Sequence, residues 1–331
     1  MDGRTGDVEL MAEIPTAQQQ SEQARRASPW VYALLATVPL TWGFNFISLK
    51  VLKQDFTVIG LLSSRYVVMV LALFVTLWAL ERDLSIRREH LRYFLGFALV
   101  TVVIYQVCFA AGVFYTLAAE GALLISTAPI WAMLINRALG WERLTLRQAM
   151  GTLLGFAGIA AVILGGPEAQ RVPEHHVFGL AIMTLAGILW ASYAVFSRPL
   201  LRHYSPLKVT TWVHFIGAFG LIPLGARDAL AVDWWHLGPM TWACLFHFSL
   251  LAGVYGFVVW YRGVAAIGSS RTVLFQYCVP IVATFLAYLL LHEVPTVVQI
   301  VGIGVTLVGL NLAVRRRPRR PAAGPVGSDT G

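Results

Sequence analysis

The chain has 331 residues, of which 57% are hydrophobic and 13% are charged, whereas soluble domains carry about 25% charged residues. Apolar blocks recur from about residue 30 to residue 314, and a helix needs about 20 apolar residues to cross a bilayer. These properties exclude a chain made mainly of soluble domains. The formal net charge of +8 does not indicate nucleic-acid binding, because most basic residues lie in the segments that flank the apolar blocks.

Residues 1–28 form a polar amino-terminal segment with five acidic side chains. This segment lacks the basic start and the short apolar core of a secretory signal peptide. Like the basic residues 315–331 at the other end, it is typical of a disordered tail. We therefore expect the first apolar block to remain in the protein as a membrane helix.

Between these tails we predict ten membrane-spanning helices. Helices are favoured over strands by the length of the blocks and because a helix satisfies its own backbone hydrogen bonds in lipid. The predicted fold class is an all-α polytopic membrane protein. The predicted spans are residues 30–49, 57–80, 93–114, 119–139, 147–165, 177–197, 207–225, 239–261, 271–291 and 296–314.

Lysine and arginine predict the orientation of these spans, because cytoplasmic segments of membrane proteins carry an excess of both residues. If the amino terminus is cytoplasmic, the cytoplasmic segments hold 20 of these residues and the external segments hold 4. Arg65 alone lies deep within a span. We therefore expect both termini to be cytoplasmic.

The chain contains an internal repeat. Residues 129–158 and 280–309, displaced by 151 positions, are identical at nine of thirty positions. Trp42 and Trp190 match at a displacement of 148, and Tyr105 and Tyr255 match at 150. The nine identical pairs are Pro129 and Pro280, Ile130 and Ile281, Ala132 and Ala283, Leu139 and Leu290, Glu142 and Glu293, Thr145 and Thr296, Gln148 and Gln299, Gly151 and Gly302, and Gly158 and Gly309.

Each copy of the repeat contains five spans. Because five is an odd number, the second copy crosses the membrane in the opposite orientation to the first. The basic residues support this arrangement. The hairpin between the fourth and fifth spans is predicted to face the cytoplasm and carries three arginines. The equivalent hairpin between the ninth and tenth spans is predicted to face outward and carries none at the matching positions. Arg137, Arg143 and Arg147 correspond to Tyr288, Val294 and Val298.

Inverted repeats place two equivalent bundles around a site at the middle of the membrane, and they expose that site to each side in turn. This arrangement favours a carrier over a channel or an enzyme. The chain has no GxxxxGK loop for a nucleotide phosphate, and we expect no other cofactor. Transport would then be secondary and driven by a gradient of solute or ion.

Several motifs resemble the EamA domain of the drug/metabolite transporter superfamily. In the first half they are WGFNFISLK at 42–50, the span containing Arg65, and the block from ALLISTAPIW to GTLLGFAG; in the second half they are WASYAVFSR at 190–198 and VPIVATFLAYLLLHEVPTVVQIVGIGVTLVG at 279–309. The resemblance implies two inverted five-helix repeats, at 30–165 and 177–314, around a central cavity. It also implies a carrier in the bacterial inner membrane that exports small metabolites, often amino acids.

Polar and amphipathic side chains near the middle of spans are expected to face the interior of the bundle. Aromatic rings with a few amides suit an uncharged or zwitterionic organic solute. For Arg65, contact with a substrate carboxylate and hydrogen bonding to neighbouring helices both remain open. The candidate cavity residues are Trp42, Asn45, Arg65, Tyr105, Gln106, Trp190, Tyr193, Tyr255 and Gln276.

Other residues receive mainly structural interpretations. Pro129 and Pro280 lie near mid-span and predict kinks, which serve either as flexing points or as fixed bends. The glycines of the fifth and tenth spans predict close helix packing. Glu142 and Glu293 are predicted to cap hairpins on opposite sides of the membrane, and the intramembrane His214 and His247 to be hydrogen-bonded within the bundle.

Two other function classes, an intramembrane enzyme and a receptor or scaffold, fit the sequence less well than a carrier. An intramembrane enzyme needs a nucleophile with its base, paired acids or a metal cluster at one depth, and the sequence offers none of these. A receptor or scaffold does not explain why the two halves repeat in opposite orientation. Among carriers, drug or nucleotide-sugar transport is the alternative to metabolite export. The coupling ion, including the proton, and the choice between monomer and homodimer stay open.

Overall fold

A computed structural model of the chain describes residues 28–140, 145–165, 175–267, 272 and 275–314. Four sequence-based predictions therefore lie outside the described residues. They concern the tail at 1–28 apart from Ser28, the tail at 315–331, the capping role of Glu142, and the start of the ninth span near residue 271.

The described residues form ten apolar helices and no strands, which confirms the predicted fold class. Eight of these helices are long and apolar enough to cross a membrane, while α9 and α10 are shorter. They are α1 (Pro29–Leu52), α2 (Val58–Glu81), α3 (Arg88–Tyr115), α4 (Ala118–Ala138), α5 (Leu146–Leu164), α6 (His176–Phe196), α7 (Pro206–Ala231), α8 (the consecutive segments Pro239–Phe246, His247–Tyr255 and Gly256–Ile267), α9 (Val279–Leu291) and α10 (Val297–Val314).

The repeated T-x-x-Q sequence forms the amino-terminal cap of α5 and of α10. In each cap the threonine hydroxyl accepts a hydrogen bond from the backbone N–H of the glutamine, and the glutamine side chain accepts one from the backbone N–H of the threonine. The two oxygen–nitrogen distances are 3.3 and 3.0 Å for Thr145 and Gln148, and 3.2 and 3.0 Å for Thr296 and Gln299. This reciprocal arrangement satisfies two donors that a helix start leaves free.

Equivalent helices of the two halves pack side by side in opposite directions. At one end of the α5–α10 pair, Thr296 Oγ1 donates to the carbonyl oxygen of Gly165 at 2.6 Å. Further along, Thr306 Oγ1 lies 3.4 Å from the carbonyl oxygen of Gly155. The beginning of α10 therefore meets the end of α5, as inverted repeats require.

Glycines permit this close approach between the two halves. A Cβ atom at Gly158 would lie 2.6 Å from the carbonyl oxygen of Gly302, and one at Gly309 would lie 2.7 Å from that of Gly151. Such distances leave no room for a side chain, so the backbones themselves are in contact. The predicted close helix packing is confirmed for Gly158 and Gly309, whose contacts join the two repeats, whereas a Cβ at Gly304 would meet nothing within 4 Å.

Helices α2 and α7 form a second antiparallel pair across the two halves. Thr57 Oγ1, just before α2, donates to Asp228 Oδ2 near the end of α7 at 2.6 Å. At the opposite end, Ser205 Oγ donates to Glu81 Oε1 at 2.7 Å. At the same end, Lys208 Nζ in the first turn of α7 lies 2.5 Å from Oδ2 of Asp83, in the loop after α2. Hydrogen bonds from Lys208 and Ser85 hold the pKa of the Asp83 carboxyl well below its usual range.

The helix breaks differ in position from those that the prolines predict. The α4 helix is interrupted at Thr127, and Pro129 lies in the first turn of the following segment, Ala128–Ala138. Likewise, Pro280 lies in the first turn of α9, after the turn residues Tyr277 and Cys278. A proline is tolerated there because its missing N–H has no partner within the first turn. Each interruption therefore lies before its proline in the chain, and the proline does not lie inside a continuous helix that it kinks.

Two helices contain a π-helical segment, and the two segments occupy matching positions in the halves. They are Leu99–Ile104 in α3 and His247–Tyr255 in α8. The matched residues Tyr105 and Tyr255 stand directly after the first segment and at the end of the second. Since π-helical turns are rare and often occur at functional sites, the two segments indicate a candidate functional site in the space between α3 and α8.

Candidate functional site

A cavity with roughly 600 Å³ of empty space lies between the two halves. This space includes the part of the cavity that is open to the surroundings. Residues of α1 to α4 form one part of the wall. Residues of α6, α8 and α9 form the rest, together with Gln276, a helical residue that precedes the turn before α9. The wall consists of Trp42, Asn45, Phe46, Arg65, Tyr105, Gln106, Phe109, Ile125, Ser126, Trp190, Ala252, Phe257, Gln276 and Val279.

Seven of the nine predicted cavity residues lie in this wall, namely Trp42, Asn45, Arg65, Tyr105, Gln106, Trp190 and Gln276. Tyr193 lies beside the wall, where its ring stacks on Trp190 with centroids 5.6 Å apart and its hydroxyl lies 2.8 Å from that of Tyr261. Tyr255 instead places its hydroxyl 2.8 Å from Thr37 Oγ1, which ties α8 to α1. The cavity thus brings together residues that are distant in the sequence.

Arg65 supplies the positive charge of the wall. Only 4% of this residue is exposed, and its Nη1 donates to Gln106 Oε1 at 3.1 Å. The guanidinium carbon lies 3.7 Å from the centroid of the Phe248 ring, which provides a cation–π contact. No aspartate or glutamate belongs to the described wall, and the Arg65 Nε has no hydrogen-bond partner there. The wall therefore carries an arginine without a carboxylate beside it.

Asn45 is the second polar feature of the wall. It lies on α1 and is 8% exposed. Its amide oxygen is buried without a hydrogen-bond partner among the described residues. A buried polar group without a partner costs about 1–3 kcal/mol, so this amide is held in the wall at the expense of stability.

Aromatic rings from both halves form much of the remaining wall. The Trp190 ring stacks on Tyr105, with centroids 5.4 Å apart, and its edge approaches Trp42 at 6.4 Å. The Trp42 indole N–H donates to the carbonyl oxygen of Ala252 at 3.2 Å. Ala252 belongs to the π-helical segment of α8, where the regular backbone hydrogen bonding of an α-helix is interrupted. Trp42 therefore links the first half to the irregular backbone of the second.

Sequence reasoning missed the other seven wall residues. Phe46, Phe109, Ile125, Ala252, Phe257 and Val279 are apolar or small, and in a membrane protein such residues suit a lipid-facing position as well as an internal one. Ser126 is polar, but its hydroxyl donates to the Ala122 carbonyl of its own helix at 2.7 Å. The amino-acid sequence therefore does not distinguish these cavity residues from residues that face lipid.

A buried carboxylate was also missed, at the first turn of α4. Glu120 is 2% exposed, and its Oε2 lies 2.8 Å from His176 Nε2 at the start of α6. The same oxygen accepts a hydrogen bond from the backbone N–H of Leu117 at 3.1 Å, so Glu120 also caps α4. Glu293 accepts from the backbone N–H of Ala118 at 3.3 Å, so it contributes to the cap of α4 in the other half. These contacts join the two halves at one end of the bundle.

The two predicted intramembrane histidines are hydrogen-bonded, as expected. His214 Nδ1 lies 2.8 Å from the carbonyl oxygen of Thr210, one turn earlier in α7. His247 Nδ1 lies 2.9 Å from Ser48 Oγ, across the halves. Within the part of the chain that the structure describes, no three His, Cys, Asp or Glu side chains are grouped so as to hold a metal ion.

Comparisons with known proteins agree with this architecture. The model of the EamA-like transporter family matches residues 29–164 and again residues 177–315. Over 299 residues the chain is 23% identical to the uncharacterized transporter YetK of Bacillus subtilis, and the match covers 90% of each protein. It is 29% identical to a probable terminal-alkyne amino-acid exporter of Streptantibioticus cattleyicolor over 305 residues, which cover 91% of this chain and 99% of that protein.

A solved crystal structure shares the fold, with a TM-score of 0.60 at 17% sequence identity. The match covers 86% of this chain and 96% of the other. The family model thus matches both halves that the internal repeat defines, and the relatives match over most of their length. The chain belongs to the EamA-like transporter family.

Proposed function

We propose that this transporter is a secondary active carrier that exports small metabolites, such as amino acids, by alternating access. The observation that carries the proposal is a cavity between two inverted halves whose wall holds a buried arginine and no described carboxylate. In this proposal a solute carboxylate binds Arg65. Small-molecule export is also in keeping with the name of the relative from Streptantibioticus cattleyicolor.

Alternating access is supported by the relation between the halves. Both halves contribute to the cavity wall, and equivalent helices run antiparallel, so exchanging the conformations of the halves would move the opening from one side to the other. Each repeat would comprise five helices, at 30–165 and 177–314. The interruptions before Pro129 and Pro280 are proposed as the flexing points of this motion.

The proposed location is the bacterial inner membrane, with both termini in the cytoplasm. Its support is the distribution of lysine and arginine, of which 20 lie in the segments assigned to the cytoplasm and 4 in the external segments. The proposed substrate-binding residues are the seven predicted residues of the wall. Tyr193 is proposed to support the wall by stacking on Trp190, and Tyr255 by joining α8 to α1 through Thr37.

Two assays test this function. Cells that overproduce the protein are challenged with a panel of toxic amino acids and analogues, and the solutes that they resist are then used in counterflow experiments with proteoliposomes. We expect substrate-dependent counterflow that the Arg65→Ala variant reduces about tenfold or more for carboxylate-bearing solutes. Arg227→Ala is the matched control, because Arg227 lies exposed near the end of α7 and outside the cavity wall.

Unchanged counterflow in Arg65→Ala would remove this residue from the substrate site. Chemical conversion of the solutes without flux would instead indicate an intramembrane enzyme. Binding without either flux or conversion would favour a receptor.

A further inference from the structure

We infer that Glu120 and His176 form a proton-binding site at the outer end of the bundle, and that a proton bound there holds the start of α4 against the start of α6. Loss of this proton, as the pH outside rises, loosens that contact. The inference goes beyond the proposed function. It uses the proposed orientation only to name the side of the membrane from which the proton arrives.

The first step concerns the charge of Glu120. This residue lies in the first turn of α4 and is 2% exposed. Its Oε2 accepts a hydrogen bond from the backbone N–H of Leu117 at 3.1 Å, and a helix start is a favourable position for negative charge. Both contacts favour the ionised carboxylate and offset the cost of burying it. Glu120 is therefore a buried acceptor that carries a negative charge.

The second step concerns the ring of His176, the first residue of α6. Its Nε2 lies 2.8 Å from the same oxygen of Glu120, which is the distance of a charge-assisted hydrogen bond. The His176 side chain is 11% exposed, so it remains within reach of water while its partner is buried. Imidazole is the side chain that gains or loses a proton between about pH 5 and pH 8. The proton that the pair binds is therefore the second proton of the His176 ring.

Uptake of that proton strengthens the contact between the two side chains. A neutral imidazole donates one N–H to the carboxylate of Glu120. An imidazolium donates the same N–H and also attracts the carboxylate as an opposite charge, and this attraction is strong because the carboxylate is largely shielded from water. A fall in pH through the range in which imidazole titrates therefore tightens the contact, and a rise in pH weakens it.

The contact joins the two halves of the chain. Glu120 lies on α4 of the first half and His176 on α6 of the second. At the same end, Glu293 of the second half accepts from the backbone N–H of Ala118, two residues before Glu120. Alternating access requires the contacts between the halves at one end to break and form again. A proton on His176 therefore changes how readily the outer end opens.

Other titratable or charged side chains belong to the elements that meet at this end, namely Lys50, Lys53, Tyr115, His175, His292 and Glu293. The two lysine amines donate to backbone carbonyl oxygens at the end of α3 and just after it. Their charges oppose a further positive charge nearby, so the favourable contribution to an imidazolium comes from the carboxylate of Glu120. The ring of His175 instead lies against Tyr115, with centroids 6.0 Å apart, and His292 is exposed.

The experiment measures a distance across the outer end at two pH values. Spin labels are attached to single cysteines at the exposed positions of Gln54, after α1, and Ala181, in α6, in a variant that lacks the three native cysteines. Double electron–electron resonance is recorded on the full-length protein in nanodiscs at about pH 5.5 and about pH 8, on either side of the titration of imidazole. We expect the ratio of short to long distances to be about fivefold or more higher at the lower pH.

Variants of the labelled protein assign the effect to the pair. His176→Gln keeps a donor but takes up no proton, and Glu120→Gln keeps an oxygen but no negative charge. Each should show, at both pH values, the distances that the unsubstituted protein shows at the higher pH. His236→Gln is the matched control, because His236 Nδ1 lies 2.7 Å from Asp233 Oδ2 in an exposed pair on the same side. Exposed pairs contribute little, so this variant should keep the dependence on pH.

The outcomes separate this inference from the proposed function. Identical distances at both pH values in the unsubstituted protein would overturn the inference, and so would a dependence on pH that persists in His176→Gln. Loss of that dependence in His236→Gln would also overturn it, because the responsible proton would then bind elsewhere. None of these measurements uses a solute. Absence of flux for every solute of the export panel therefore contradicts the carrier function and leaves the proton site standing.

Discussion

Trp42 and Trp190 meet edge to face, with their ring centroids 6.4 Å apart and their planes at 89°. The internal repeat pairs these same two residues at a displacement of 148 positions. Equivalent side chains of the two halves are therefore in contact at the wall of the cavity. This contact is the structural counterpart of the sequence repeat, because residues near the axis that relates two copies meet their own equivalents.

The two tryptophans should differ in their response to substitution by phenylalanine. Trp42→Phe removes the hydrogen bond to the Ala252 carbonyl, which should lower stability by about 1 kcal/mol, whereas Trp190→Phe keeps a ring that can stack on Tyr105. Thermal unfolding in detergent with parallel transport assays checks this difference. Equal stability of the two variants would show that the indole hydrogen bond contributes little.

Gln106→Glu should block transport of carboxylate-bearing solutes without unfolding the protein. The substitution keeps an acceptor beside Arg65 Nη1 but adds a negative charge that neutralises the guanidinium and repels a substrate carboxylate. We expect about a tenfold or greater loss of affinity, measured as KM in proteoliposomes. Gln106→Leu serves as the control, since it removes the acceptor without adding charge and should retain more of the affinity. Normal transport by Gln106→Glu would contradict carboxylate binding at Arg65.

Gly158→Ala should destabilise the bundle because its Cβ would lie 2.6 Å from the Gly302 carbonyl oxygen in α10. Overpacking of this kind costs about 1–3 kcal/mol. Gly304→Ala is the matched control on the same pair of helices, since a Cβ at Gly304 meets no other atom within 4 Å. Thermal unfolding and the yield of monodisperse protein measure both effects. Equal destabilisation by the two variants would contradict backbone contact at Gly158.

Glu120→Ala should be more damaging than Glu120→Gln. Alanine leaves His176 and the Leu117 N–H without their buried partner, and removal of one member of a buried pair costs about 3–5 kcal/mol when both members are charged. Glutamine keeps an oxygen for both donors. Thermal unfolding in detergent separates these cases. A Glu120→Ala variant as stable as Glu120→Gln would show that the contact with His176 is dispensable.

Cysteine labelling tests the proposed orientation of the membrane helices. In a variant that lacks Cys108, Cys244 and Cys278, single cysteines are introduced at the exposed positions of Ser85 and Asp233. A membrane-impermeant maleimide applied to whole cells should label position 233. It should leave position 85 unmodified until the cells are permeabilised. Labelling of both positions, or of position 85 alone, would contradict cytoplasmic termini.

The number and length of the helices could be predicted from sequence because the membrane imposes both. For example, α2 was predicted at residues 57–80 and lies at Val58–Glu81. The polar wall residues were also accessible to sequence reasoning, since a buried Arg65 or Gln106 must face the interior of the bundle. The T-x-x-Q residues were identified in the sequence only as part of the repeat, and the structure shows that they cap α5 and α10.

The remaining features depend on packing between distant segments, which composition does not encode. Phe109 and Phe257 have lipid-facing counterparts of the same residue type, and only the fold shows that they border the cavity. Glu293 accepts from a backbone N–H at the start of α4 in the other half, a contact between distant segments. The interruption at Thr127 likewise depends on how α4 packs, although the nearby Pro129 indicated that the helix is irregular there.

The matching π-helical segments in α3 and α8 place irregular backbone beside the cavity in both halves. Tyr105 directly follows the first segment and Ala252 lies within the second, and both residues belong to the wall. In the second segment the carbonyl oxygen of Ala252 accepts the indole N–H of Trp42. A backbone group of one half thereby serves as a hydrogen-bond partner for an aromatic side chain of the other, so a change in the winding of α8 would be felt directly by α1.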